Sequence, residues 1–164
     1  MSNLVIDSGV LVVTAESLTD ADFSSGVNQI LTIAKQRHEL TVEMRFDDST
    51  DITALSQCVH IARAAGTVTA VEITPNVAPT GGNKKWTVDV LRSTGAAAFA
   101  TILTAAKDID NATSDRTPVV ASLDSTKTDY VDSDILQIVV TVTGSTGSQG
   151  QGGVVKVWLD EGPG

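Results

Sequence analysis

The sequence predicts an all-β protein: an antiparallel β-sandwich, jelly-roll-like, with an N-terminal arm or hairpin. Apolar and polar residues alternate with period two in several short runs, as in half-buried strands. Turn-rich segments separate these runs at a spacing of roughly ten residues, which is typical of sandwiches and jelly rolls. Hydrophobic residues make up 41% of the chain but aromatic residues only 4%. The core is therefore expected to consist of Val, Ile, Leu and Ala, a mixture that favours strands.

Residues 1–50 are predicted to be an N-terminal arm or hairpin segment, and residues 51–164 the sandwich domain. Residues 28–35 are predicted to form one strand and Glu39–Asp47 the next, with a tight turn at residues 36–38 between them. Together they would form a hairpin.

The second of these strands alternates cleanly, so that four apolar side chains share one face. They are Leu40, Val42, Met44 and Phe46. We interpret this strand as a candidate interface that could pair with a partner through its main chain. The alternative is that it is a core strand of the sandwich.

Further strands are predicted along the sandwich domain. They are residues 54–65, where a helix is the alternative, and residues 67–74, 85–92, 117–123, 134–143 and 154–160. Residues 96–106 fit either a short helix or a strand around Phe99–Leu103. The last two strands flank Gly144–Gly153, a loop of Gly, Ser, Thr and Gln. They are predicted to form a long closing hairpin with a flexible tip.

Charge and composition exclude several classes of function. The net charge is −9, which repels phosphate backbones, so no nucleic acid is expected as a partner. No apolar run approaches the roughly 20 residues that span a bilayer, so no membrane is expected either. Cys58 is the only cysteine. It cannot form an intrachain disulfide, and it is expected to be buried.

The residues that could carry chemistry form no recognisable catalytic pattern. Asp108–Asp115 has the carboxylates of a calcium loop but departs from the EF-hand pattern at Ala112 and Thr113. His38 is expected in a turn and His60 in a strand, neither beside a nucleophile elbow. Gly144–Gly153 lacks the Gly-Lys-Ser/Thr ending of a phosphate loop. The sequence therefore predicts no enzyme, no cofactor and no metal site.

The two tryptophans are candidates for anchoring a partner. Trp86 lies in an alternating strand with Val88 and Val90 on its face. Trp158 has the charged residues Lys156 and Asp160 as same-face neighbours. Core and interface positions fit Trp158 equally well, and it completes the candidate interface.

A resemblance to a known family adds to this interpretation. The chain carries an Ala64-Ala-Gly-Thr-Val-Thr-Ala-Val-Glu-Ile73 strand, an Ala78-Pro-Thr-Gly-Gly82 loop and a Trp86-Thr-Val-Asp-Val-Leu-Arg92 strand. With Ile109-Asp-Asn111 and the strand from Asp134, they resemble β-sandwich structural proteins of tailed bacteriophages. The resemblance covers about residues 57–160, with Ser133 where Gly is usual.

The resemblance implies a virion protein, most like a capsid decoration (cement) protein on the capsid exterior. The expected partner is then the major capsid protein, and the protein is expected to be made in the host cytoplasm as a homo-oligomer, a dimer or a trimer. The alternative is a head-fibre or tail module that binds a receptor or glycan. Residues 1–50 lie outside the resemblance and could lie as an arm on neighbouring subunits.

Overall fold

The computed structural model describes residues 4–7, 10–13, 38–95 and 97–162. The chain divides into two compact units, Met1–Gln36 and Arg37–Gly164. In the first unit, β1 (Leu4–Asp7) and β2 (Val10–Val13) pair antiparallel. This pair is a different element from the predicted hairpin, which joined residues 28–35 to Glu39–Asp47. The strand predicted at residues 28–35 lies outside the described residues.

The second unit is built from strands, and its described residues contain no helix, hence none that could cross a membrane. Its strands are β3 (His38–Asp51), β4 (Leu55–Ile61), β5 (Gly66–Val77), β6 (Lys85–Ser93), β7 (Ala100–Thr101), β8 (Lys107–Ile109), β9 (Val119–Val120), β10 (Asp129–Tyr130), β11 (Ile135–Thr143) and β12 (Gln151–Glu161). The strand alternative for residues 54–65 and around Phe99–Leu103 is thus confirmed.

These strands form two antiparallel sheets. Sheet I has the order β10–β5–β12–β3, and β9 also pairs with β5. Sheet II has the order β4–β11–β6–β7, and β8 also pairs with β6. Most connections cross from one sheet to the other, so strands adjacent in the chain are rarely adjacent in a sheet. This is the strand order of a jelly roll, and the predicted fold class is confirmed.

Alternate residues of both sheets meet in one core. Trp86, Val88 and Val90 of β6 are fully buried on the inner face, as their spacing predicts. The inner faces of the last two strands contribute Leu136, Ile138 and Val140 from β11, and Val155, Val157 and Leu159 from β12. Because burying an aliphatic side chain stabilises a fold by about 1.5–3 kcal/mol, this layer is the main source of stability.

β3 is a strand of the sandwich. It pairs with β12 from His38 opposite Glu161 to Asp51 opposite Gln151. His38 is therefore the first residue of a strand and does not lie in the predicted turn. The compact unit that holds the sandwich begins at Arg37, whereas the sequence placed residues 37–50 in the arm.

The predicted closing hairpin is wrong. β11 pairs with β4 and β6 in sheet II, and β12 pairs with β3 and β5 in sheet I. The residues between them form an arch from one sheet to the other, which we call the 144–150 arch. Each flanking strand already has a partner on both edges, so the two cannot pair with each other.

The 144–150 arch is held by hydrogen bonds and does not resemble a free tip. The Asn83 Oδ1 atom accepts hydrogen bonds from the main-chain N–H groups of Ser145 and Thr146, at 3.0 and 3.1 Å. Thr80 and Ser148 exchange main-chain hydrogen bonds of 3.0 and 2.8 Å. The φ angle of Gly147 is +93°, in the left-handed region that favours glycine.

Candidate functional site

One side of the sandwich leaves two strand edges open. Within the described residues, β3 pairs only with β12 and β4 only with β11. The two strands follow each other in the chain, contact each other, and turn at the buried Ile52. Both open edges therefore lie on the same side, which we call the open side. An unpaired edge presents a row of N–H and C=O groups that another strand can bind.

The structure brings four of the five candidate interface residues together on the inner face of β3. Met44 is 1% exposed in the core, and Val42 and Phe46 pack against that core. The rings of Phe46 and Trp86 meet edge to face, with centroids 6.1 Å apart. Leu40 is 38% exposed at the beginning of the strand. Val42, Met44 and Phe46 belong to the core, so β3 offers a partner mainly its main-chain edge.

Trp158 lies apart from that face. It belongs to β12, opposite Thr41 of β3 and Ala70 of β5, on the outer face of sheet I. The neighbouring residues Val157 and Leu159 point into the core, whereas Trp158 is half-buried at the surface. Its cross-strand neighbours Thr41 and Ala70 are small, whereas Lys156 and Asp160 flank it along its own strand. A partly exposed tryptophan on a sheet face can anchor a protein partner.

No residue of β4 is fully buried, and five of its seven residues are exposed. Leu55 is 41% exposed and Ile61 is 64% exposed, although both are large and apolar. Cys58 is also exposed, so the prediction that it is buried is wrong. The reason is that β4 is an edge strand whose far side lacks a neighbour among the described residues. This surface was not among the predicted interfaces, although residues Leu55 to Ile61 contain no Lys, Arg, Asp or Glu, a pattern that could have indicated it.

A cluster of polar side chains fastens the end of β4 to sheet I. The Nε2 atom of His60 lies 2.8 Å from Oε2 of Glu161 in β12. The hydroxyl of Tyr130 donates to the same oxygen at 3.2 Å, and the main-chain N–H of Arg63 donates to Oε1 at 3.1 Å. We call His60, Tyr130 and Glu161 the clasp. His60 thus lies in a strand, as the sequence predicts, and its side chain links β4 to sheet I.

Glu161 is the buried acid of the clasp, with 6% of its surface exposed. Burial by itself raises its pKa because it disfavours the charged form. The hydrogen bonds from Arg63, His60 and Tyr130 outweigh burial, and the pKa of Glu161 is lowered from 4.5. The carboxylate is therefore held ionised by its donors, and it acts as a link between the sheets.

The acidic loop 108–115 uses its carboxylates within the chain. Asp108 accepts hydrogen bonds from Lys85 and Thr87, and these donors lower its pKa. Asp110 accepts from the N–H of Ala112, and Asp115 accepts from the N–H of Ala78. Among the described residues, no three His, Cys, Asp or Glu side chains converge as metal ligands would.

A groove of about 650 Å³ with mixed polar and apolar walls lies on sheet I, near the end of β3. Arg45, Asn76 and Arg116 line it together with Asp47 and Asp48, so its cations and anions balance. Arg116 has a φ angle of +53°, uncommon for a residue with a side chain. Its main-chain N–H donates to Pro75 O and its Nε to Asn76 Oδ1, at 2.8 and 3.2 Å. These hydrogen bonds hold Arg116 at the wall of the groove.

The fold and these surfaces define a jelly-roll β-sandwich with an open side. No protein-family model and no curated protein matches the chain. Among solved structures, the capsid of Ralstonia phage GP4 is similar at 16% identity and a TM-score of 0.48, over 78% of this chain and 86% of that one.

Two plant-virus structures are also similar to this chain. Turnip yellow mosaic virus matches at 14% identity and a TM-score of 0.37, over 77% of this chain and 93% of that one. Desmodium yellow mottle tymovirus matches at 9% identity and a TM-score of 0.37, over 98% and 94%. At such values the function has to be inferred from this chain's own residues.

Proposed function

We propose that this protein is a structural, non-enzymatic component of a phage virion: a decoration protein that binds and stabilises the outer surface of the capsid. The observation that carries the proposal is the open side, where two strand edges of one jelly roll are available to a partner. The resemblance of residues 57–160 to tailed-phage sandwich proteins points in the same direction. The proposed partner is the major capsid protein.

The outer face of sheet I and the edge of β3 would make the contact with the capsid. The β3 edge supplies main-chain hydrogen bonds along a 14-residue strand, which is how strand addition gains affinity. Glu39, Glu43, Asp47, Asp48 and Asp51 make this strand acidic, with Arg45 as its only Lys or Arg. A basic surface or segment of the capsid protein would complement it.

Sedimentation with capsids tests the proposal. Purified protein is mixed with capsids that lack it, and the pellet is assayed for bound protein over a range of concentrations. We expect saturable binding at a fixed ratio to the capsid subunit and a higher temperature of capsid disruption. Binding that never saturates, or an absence of binding at low salt, would contradict the proposal.

The contact surface can be located with single variants. Trp158→Ala removes the partly exposed ring and is expected to weaken capsid binding by about 10- to 100-fold, as hot-spot truncations do. Val120→Ala is the matched control, because Val120 is 63% exposed on β9 at the opposite edge of the same sheet. Equal binding of the two variants would place the contact away from Trp158.

A second candidate function is a receptor- or glycan-binding module of a head fibre or tail. The specific observation in its favour is the groove on sheet I, whose wall includes Arg45 and Arg116. Its balanced charge suits a neutral polar ligand such as a glycan better than an anion. Binding to host cells that is lost in Arg116→Ala, together with failure to sediment with capsids, would favour this second function.

A further inference from the structure

The jelly roll has four lateral edges, and three of them are poorly suited to pairing with a second copy of this acidic chain. On the side away from the open side, the edges of β5 and β6 carry only β7, β8, β9 and β10, which are two or three residues long. Very short strands and charged side chains are the usual means of blunting an edge. β3 is long, but five carboxylates and Arg45 line it. The fourth edge is that of β4.

β4 has neither form of protection. Its seven residues, Leu55-Ser-Gln-Cys-Val-His-Ile61, include no Lys, Arg, Asp, Glu or Pro. Four consecutive residues, Leu55 to Cys58, are exposed, and so is Ile61. An uncharged edge strand with exposed apolar side chains is a site for pairing with another strand. Its one irregularity is the bulge opposite Leu136 and Gln137, near its end.

The distribution of charge indicates which partner the β4 edge can bind. The protein carries a net charge of −9, so two copies repel each other over most of their surfaces. β3 edges placed together would set carboxylates against carboxylates, whereas β4 edges placed together would meet no like charge. A basic partner would in turn prefer β3 to β4. The uncharged β4 edge therefore suits a second copy of this chain.

We propose that two copies of the protein associate through their β4 strands, which pair antiparallel about a two-fold axis and join the two copies of sheet II. An interface of this kind is self-complementary, as the commonest homodimers are. It covers Leu55 and the exposed main chain of both copies. The proposal rests on the edges of the sheets and is independent of capsid binding.

Cys58 provides a chemical probe of the proposed pairing of two β4 strands. It is the central residue of β4 and the only cysteine of the chain. Antiparallel pairing about a two-fold axis through the strand places the two Cys58 residues opposite each other or nearly so, where cross-strand Cα distances are about 4.5–5.5 Å. The thiol takes no part in the association.

The test combines oligomeric state with cross-linking. Sedimentation equilibrium of the full chain should show a monomer–dimer equilibrium, tightened by added salt because salt screens the repulsion of two acidic copies. A short bis-maleimide should join two chains through Cys58 in buffer but not in urea. Cys58→Ser should abolish the cross-link and leave the dimer in sedimentation.

Two double variants with the same change in charge decide the matter. Ser56→Lys/Gln57→Lys puts four lysines at the proposed interface and should weaken the dimer by at least about tenfold. Thr41→Lys/Thr50→Lys places the same charges on exposed positions of β3 and should leave the dimer as tight or tighter. Far-UV circular dichroism checks that both variants are folded. A chain that stays monomeric, or a dimer equally sensitive to both variants, would overturn the proposal.

Discussion

Glu161 shows how a single carboxylate can join two sheets. It lies at the end of β12 in sheet I, and it accepts hydrogen bonds from His60 and from the N–H of Arg63, just beyond the end of β4. Tyr130 of β10 donates to the same group. Edge strands are held by a partner on one side only, so contacts to the opposite sheet matter more for β4 than for a central strand. The clasp is such a contact.

We expect Glu161→Gln to destabilise the protein at neutral pH by about 1–3 kcal/mol, because a buried charged acceptor is lost. The pKa of Glu161 is lowered from 4.5 on folding. Its contribution is therefore fully present above pH 4.5 and is lost as pH falls through the lower, folded value. Urea unfolding of both proteins between neutral and acidic pH measures this, and the two stabilities should converge in acid.

Glu39→Gln is the control for that experiment. It makes the same chemical change on an exposed residue of β3, and it should alter the free energy of unfolding by less than about 0.5 kcal/mol. If Glu161→Gln behaves like Glu39→Gln at neutral pH, the clasp does not stabilise the fold.

Substitution of two glycines distinguishes the cost of backbone strain from the cost of a steric clash. Gly81 and Gly147 both have positive φ, +63° and +93°. A Cβ on Gly81 would meet nothing within 4 Å, whereas a Cβ on Gly147 would collide with the carbonyl oxygen of Gly81. Gly81→Ala should cost only the left-handed strain, about 1–2 kcal/mol. Gly147→Ala should cost at least about 3 kcal/mol in thermal unfolding. Equal costs would mean that the arch moves aside.

At the scale of elements, Asn83 organises the 144–150 arch. Its Oδ1 atom accepts from the N–H groups of Ser145 and Thr146 and from the Thr146 hydroxyl, at 3.0–3.1 Å. We expect Asn83→Ala to destabilise the protein by about 1–2 kcal/mol, and Asn83→Asp to retain most of the stability because it keeps the acceptor oxygen. Chemical denaturation compares the three proteins. An Asp variant as unstable as the Ala variant would show that the acceptor is unimportant.

The 144–150 arch also shows which feature of the fold the sequence did not predict, namely the pairing of the last two strands. Period two in residues 134–143 and 154–160 predicted both strands and their inner faces correctly, because alternation is a local property. The sheet to which each strand belongs is decided by partners far along the chain, such as β6 for β11 and β3 for β12. A glycine-rich connection looks the same in a hairpin and in an arch, so the predicted hairpin was wrong.

The positions of β3 and β4 at the edges of their sheets explain the other differences between the predicted and the observed structure. Cys58 is exposed because β4 has a described neighbour on one side only, and no local pattern distinguishes such a strand from a central one. Likewise, the contact between His60 and Glu161 joins residues 101 positions apart in the chain. The alternation of its strand predicted that Met44 lies on an apolar face. The same alternation could not show whether that strand belongs to an arm or to the sandwich.

At the scale of the whole molecule, the position of β3 decides where the sandwich begins. β3 is an edge strand, yet its inner face supplies the buried Met44 and the partly buried Val42 and Phe46. Removing β3 would uncover the core-facing side of β12 and leave sheet I with an apolar edge. The loss of three such side chains amounts to several kcal/mol, comparable to the total stability of many domains.

Two truncations test this boundary and the role of the N-terminal segment together. Residues 37–164 should give a cooperative unfolding transition within a few degrees of that of the full chain, since all strands of both sheets are retained. Residues 52–164 should fail to unfold cooperatively or should aggregate, because β3 is missing. Circular dichroism melts distinguish these outcomes, and a cooperative transition in residues 52–164 would show that β3 is dispensable. If the N-terminal segment adds to the contact by lying on neighbouring subunits, as the sequence suggests, the folded 37–164 protein should sediment with capsids more weakly than the full chain. Equal binding would assign the contact to the sandwich alone.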